Sequence, residues 1–260
     1  MTFTTNATIS SFGGTFHKLT HNSSATKTSM NLTLFIPGTA SASTPAPVLI
    51  FLSGLTCSPD NCVEKGFLHA HASRLGLAVL YPDTSPRGTN HPGEHDDWDF
   101  GSAASFYLDA TEPPWRENYN METYLTRELP SVLFPAFAQL DARRVSITGH
   151  SMGGHGALTL FLKHPGLYKS VSALAPICNP SQCAWGRKAF TGYLGGGDTR
   201  ESWKQHDATE LIKSWGRRLD CLIDVGTGDK FYQDGQLLPE NFAKAAEEAG
   251  VEGPVIRYQE

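Results

Sequence analysis

Three features of the 260 residues predict an α/β fold with a mostly parallel central sheet flanked by helices. Residues 48–52 and 77–81 are short, continuously apolar runs, the pattern of strands buried on both faces. A helical stretch separates them, and strand, helix, strand in that rhythm implies parallel pairing through right-handed crossovers. The third feature is a β-branched run at 145–148 that passes through Gly149-His150-Ser151-Met152-Gly153-Gly154 into a helical-looking segment at 157–162. In that context Gly-x-Ser-x-Gly is a nucleophile elbow, which presents a serine hydroxyl above the sheet of an α/β-hydrolase fold.

Taken in order, the elements are consistent with this class. The first fifty residues predict antiparallel strands, from Thr-rich and aromatic runs at 9–16 and 30–36 parted by polar turn residues. Residues 37–47, built from Pro, Gly, Ala, Ser and Thr, are an exposed connection. Ser58-Pro59 opens a helix whose apolar positions Val63, Phe67, Ala70 and Leu75 carry it to Gly76. Residues 83–119 hold Pro, Gly, Asp, His and aromatics without a sustained period, a long insertion of the kind that carries function. Within it His91-Pro92-Gly93-Glu94-His95 matches a metalloprotease string, but Pro92-Gly93 forbids the helix on which that motif works. A helix bent or ended near Pro130 is expected over 121–137, further strands over 171–176 and 219–225, an amphipathic helix over 239–249 and a last strand over 255–258. No internal repeat or composition shift divides the chain, so residues 1–260 are expected to form one domain.

Composition narrows the function classes. A net charge of −5 with no Lys/Arg run argues against nucleic acid and against an anionic membrane surface as partners. No apolar stretch approaches the length of a spanning helix, and the first residues lack the basic flank and apolar core of a secretory signal. Three Asn-x-Ser/Thr triplets, at Asn6, Asn22 and Asn31, are read as chance in a Ser/Thr-rich segment. Cys57, Cys62, Cys178, Cys183 and Cys221 are odd in number, which argues for reduced thiols in a cytoplasmic protein rather than a disulfide framework.

The chemistry follows from the elbow. Ser151 is the expected nucleophile, next to a helix N-terminus whose partial positive charge favours the developing oxyanion. In this fold the acid follows the nucleophile at the end of a later strand. Asp229, in the Gly-rich turn after residues 219–225, fits that place better than Asp224 or Asp234. Gly54-Leu55 occupies the loop after an early strand, so the backbone N–H groups of Leu55 and Met152 are the expected oxyanion donors. Such donors contribute about 3 kcal/mol each to transition-state stabilisation.

Longer strings extend the picture. Ser53-Gly54-Leu55-Thr56-Cys57, the elbow with His155-Gly156-Ala157, and Ala175-Pro176-Ile177-Cys178-Asn179-Pro180 resemble the S-formylglutathione hydrolase family, the esterase D type. So do Trp98-Asp99-Phe100-Gly101, residues 106–111, Trp185-Gly186-Arg187-Lys188-Ala189-Phe190 and Asp234-Gly235-Gln236-Leu237-Leu238-Pro239. The resemblance runs from about Phe12 to the last residue. It implies a thioester hydrolase that releases formate and glutathione without metal or cofactor, with a small molecule as its substrate; a homodimer is compatible with it. Ser151 then matches the family nucleophile, Asp229 the acid, Leu55 and Met152 the oxyanion donors, and Trp185 and Cys57 substrate contacts near the acyl pocket. A general carboxylesterase or acyl transferase of the same fold is the nearest alternative, and a non-catalytic truncated form is the other. The order Ser, Asp, His requires a histidine after Asp229, and residues 230–260 contain none. The expectation is therefore that a final His-bearing loop and a closing helix lie beyond this sequence.

Overall fold

Alternation of apolar residues with the pleat places two hydrophobic layers on opposite faces of a single sheet. The computed structural model describes residues 2–260, and the side chains of all of them except residues 198 and 199. Among the described residues, nine strands run in the order β1-β2-β3-β5-β4-β6-β7-β8-β9. β1 (Thr4–Ser11), β2 (Gly14–Asn22) and β3 (Ser29–Ile36) form an antiparallel meander whose last strand pairs antiparallel with β5 (Ala78–Pro82). β4 (Ala46–Leu52), β5, β6 (Leu140–His150), β7 (Val171–Leu174), β8 (Cys221–Gly226) and β9 (Val255–Gln259) pair in parallel. The mostly parallel sheet predicted from the sequence is thus the observed one. The predicted run at 9–16 is in fact two strands, because the chain reverses at Phe12-Gly13, both in the left-handed region.

Val48, Ile50, Leu52, Val145, Ile147, Ala173 and Ile223 point to the main core, which α5 (Met152–Lys163) covers. Phe16, Phe35, Phe51, Val79 and Tyr81 point the other way and pack on Ala72 of α2 (His69–Leu75). The single helix expected from Ser58 to Gly76 is two, α1 (Pro59–Lys65) and α2. Phe67, counted as a core-facing position, is 79% exposed with φ +50° and separates them. Spacing alone could not reveal that reversal.

Around Pro130 the chain does not stop. α3 (Met121–Thr123) leads through a π-helical turn, Tyr124–Glu128, into α4 (Leu129–Ala136). The wider turn accommodates a proline that has no N–H to give. Between 184 and 212, where the sequence predicted no element, lie α6 (Ala184–Leu194), a 3₁₀ segment and α7 (Ala208–Ile212). Gly186 and Gly192 weaken helix propensity there, but contacts require them: a Cβ at Gly186 would sit 2.1 Å from the Pro180 carbonyl oxygen, and one at Gly192 2.3 Å from Phe100. The chain ends with α8 (Lys230–Gln233), α9 (Pro239–Glu248) and β9. The insertion at 83–119 is irregular apart from a 3₁₀ turn, Trp115–Glu117. His91 to His95 lies in turns, as Pro92-Gly93 requires, and the buried Glu94 accepts the hydroxyls of Thr89 (2.5 Å) and Tyr119 (2.8 Å).

Beneath α5 a charged cluster joins the insertion's end to the core. Burial raises the Glu122 carboxyl, but the His164 hydrogen bond at 2.9 Å and the Lys163 charge outweigh it and bring its pKa down to about 2. Burial holds His155 down to about 3 and, with Lys163, His206 to about 4. Below pH 6.5 the unfolded chain takes up protons that these folded imidazoles refuse, so stability falls as pH drops from 6.5 towards 4. Each imidazole accounts for on the order of 3 kcal/mol. Glu122 adds a further loss below pH 4.5. Denaturant titrations should show the decline between pH 6.5 and 4, reduced in His206→Gln; an equal slope in that variant would contradict the assignment.

Candidate active site

A tight turn joins β6 to α5. Ser151 sits in it with φ 58° and ψ −119°, a conformation that costs a non-glycine residue about 1–3 kcal/mol. The turn closes because Gly149 and Gly153 carry no Cβ: one at Gly149 would lie 2.2 Å from the Gly153 carbonyl oxygen, and one at Gly153 2.0 Å from that of Leu52. The Ser151 N–H donates to the Leu174 carbonyl at 2.9 Å, tying the turn to the end of β7. Its side chain is left facing a pocket of about 190 Å³ at the carboxyl ends of the parallel strands.

Ser151, Leu55, Cys57, Trp185 and Asp229 all line that pocket, so the structure brings together five of the six residues singled out in the sequence. The sixth, Met152, lies directly behind Ser151 as the first residue of α5 and is fully buried. Among the described residues, neither the Leu55 N–H nor the Met152 N–H has a hydrogen-bond acceptor in the protein. Two unpaired backbone donors beside a serine at a helix N-terminus are the arrangement that accepts an oxyanion.

Asp229 follows β8 and caps α8, accepting the Phe231 N–H at 2.7 Å through Oδ1. Asp224, the alternative acid, is engaged elsewhere by Arg257, and Asp234 pairs with Lys230 at 2.6 Å. His150 also lines the pocket; desolvation lowers its pKa while the Asp229 charge works in the opposite direction. No histidine among the described residues hydrogen-bonds to Ser151 or Asp229. His155 instead turns inward and donates through Nε2 to the Phe106 carbonyl at 3.1 Å.

Cys57 is half-buried, and burial pushes its thiol pKa up. It is therefore a pocket wall rather than a thiolate at neutral pH. Trp185 sits edge-on between Trp98, at a ring separation of 5.3 Å, and Phe231, at 4.8 Å. Trp98, Phe231 and Leu237 also line the pocket; Trp98 and Leu237 stand in strings that carry the family resemblance, but none of the three was assigned a role from the sequence. The available signal was an aromatic inside the polar, aperiodic insertion: Trp98 is 53% exposed at the pocket's edge.

The comparisons with known proteins agree with this geometry. Residues 23–253 match the esterase family model described as "Putative esterase". The S-formylglutathione hydrolase of Bos taurus is 51% identical over 251 residues, which cover 96% of this chain and 87% of that one. Its Arabidopsis thaliana counterpart is 47% identical over 246 residues, 94% and 84% of the two chains. The solved structure of an S-formylglutathione hydrolase from Agrobacterium tumefaciens superposes with a TM-score of 0.91 at 41% identity, over 100% of this chain and 91% of that one. With a serine elbow on this sheet and matches of that extent, the chain belongs to the S-formylglutathione hydrolase family, serine esterases of the α/β-hydrolase fold.

Proposed function

We propose that the chain hydrolyses the thioester S-formylglutathione to glutathione and formate in the cytoplasm. The observation that carries this reading is Ser151 held at φ 58° in a pocket of about 190 Å³ beside two unpaired N–H donors. Ser151 Oγ attacks the formyl carbon as a base takes its proton, and the carbonyl oxygen becomes an oxyanion facing the Leu55 and Met152 N–H groups. Collapse breaks the C–S bond and releases glutathione thiolate, a good leaving group because thiols ionise near pH 8.5. Water then attacks the formyl ester of Ser151, formate leaves, and the serine regains its proton. Asp229 is placed to orient an imidazole that would carry the proton through both halves, a partner that no histidine among the described residues supplies by a hydrogen bond to it. Trp185 and Cys57 wall the acyl side, and the five free thiols accord with a reducing compartment.

A small acyl pocket should discriminate by size. Against butyryl-glutathione and matched oxygen esters, the formyl thioester is expected to show kcat/KM at least 100-fold higher, since a few misfitting methylenes cost 1–3 kcal/mol each. Comparable kcat/KM for formyl and butyryl thioesters would replace this reading with a general carboxylesterase.

A further inference from the structure

The insertion at 83–107 grips the loop between β4 and α1 on both sides of Leu55. On one side Arg87 Nη2 donates to the Cys57 carbonyl at 2.8 Å, and Thr84 Oγ1 donates to the same oxygen at 2.5 Å. Arg87 is itself held by Asp83, which is only 2% exposed, through contacts of 2.6 and 3.2 Å. On the other side the fully buried Tyr107 hydroxyl donates to the Ser53 carbonyl at 2.7 Å. Between them the Ala103 carbonyl accepts the Thr56 N–H at 3.1 Å. The insertion also reaches α5: the Phe106 N–H meets Met152 Sδ at 3.4 Å, and the Phe106 carbonyl accepts from His155. A Cβ on Gly156 would strike the Tyr107 ring at 2.6 Å.

Ala103, Phe106 and Tyr107 adopt φ of 61°, 52° and 52°, and Thr56 adopts 67°. Non-glycine residues persist in that region only where surrounding contacts over-determine them, and such clusters concentrate at functional sites. Tyr107, Arg87 and Thr84 together occupy the Ser53 and Cys57 carbonyls while the Leu55 N–H stays unpaired.

We propose that Arg87, Thr84 and Tyr107 are positioning residues: a bracket built by the insertion that fixes the Leu55 N–H relative to Ser151 and the Met152 N–H. The inference rests on the hydrolase reading, since it assigns the geometry of that site's oxyanion donors. A donor displaced by a fraction of an ångström still lets substrate bind but no longer meets the oxyanion, so the loss falls on kcat.

The test uses the full chain, with Tyr107→Phe, Thr84→Val, Arg87→Met and Arg87→Lys assayed on S-formylglutathione and on an activated aryl ester. Tyr107→Phe and Arg87→Met are expected to lower kcat by about 10- to 100-fold with KM within two-fold, the range for losing part of one oxyanion donor. Arg87→Lys should recover part of the loss. Affinity for an alkyl trifluoromethyl ketone, whose adduct with serine carries an oxyanion, should fall by the same factor, and the pH profile should not move. Arg87→Met strands the buried Asp83 and can fail to fold; Tyr107→Phe and Thr84→Val, each removing one hydroxyl hydrogen bond, then decide. Unchanged kcat in both of these variants, or a kcat loss without the matching loss of ketone affinity, overturns the bracket. A wild-type chain that cleaves the aryl ester but not S-formylglutathione overturns the substrate reading alone, and the ester series still tests the bracket.

Discussion

Where a base is in place beside Ser151, replacing this serine with alanine is expected to lower turnover of S-formylglutathione by about 10⁴- to 10⁶-fold, leaving only what the oxyanion donors and binding supply. The effect is large because the residue contributes the bond that divides one difficult step into two. Ser151→Gly should be equally inactive yet more stable. Glycine accepts the φ of 58° without strain, and relief of about 1 kcal/mol raises Tm by roughly 2–4 °C in a chain of this size. A Ser151→Ala enzyme within ten-fold of the parent would remove the serine from the mechanism.

The second large effect concerns the base. This fold places a histidine after the acid, yet residues 230–260 contain none, and no histidine among the described residues hydrogen-bonds to Ser151 or Asp229. Without a base Ser151 is a neutral hydroxyl. A chain that presents a histidine to Ser151 is therefore expected to turn over about 10⁴- to 10⁶-fold faster than one that presents none. Assaying both chains at matched folded concentration decides it. Near-equal turnover would mean that a group already present, such as His150 in the pocket lining, takes the proton.

What could be read from the sequence was whatever local chemistry determines. The elbow needs small residues at 149 and 153 because backbone passes within about 2 Å of where a Cβ would stand, and a Gly-x-Ser-x-Gly string between strand and helix records that need directly. The β8 run and the Gly-rich turn after it pointed to Asp229 by local pattern, and the structure puts Asp229 on the pocket. The parts that were not legible depend on contacts between distant residues. Phe67 has helical spacing from Val63, yet the chain turns left-handed there and leaves it in solvent. α6 forms despite two glycines, because Pro180 and Phe100 occupy the space their side chains would take. The insertion looked functional by its length and lack of period, but nothing in its composition says that Arg87 and Tyr107 reach back 30 and 54 residues to the Cys57 and Ser53 carbonyls on either side of Leu55. Trp98 and Phe231 likewise join the pocket from segments far apart in the chain.

The central claim is that Ser151 carries the formyl group between thioester and water. Intact-mass analysis of the protein with a base in place beside Ser151, quenched within milliseconds of mixing with S-formylglutathione, tests it most directly. The account predicts one transient adduct, a formyl group replacing one hydrogen, mapped by peptide sequencing to Ser151 and missing from Ser151→Ala. Turnover without any adduct, or an adduct mapped to another residue such as Cys57, would contradict it.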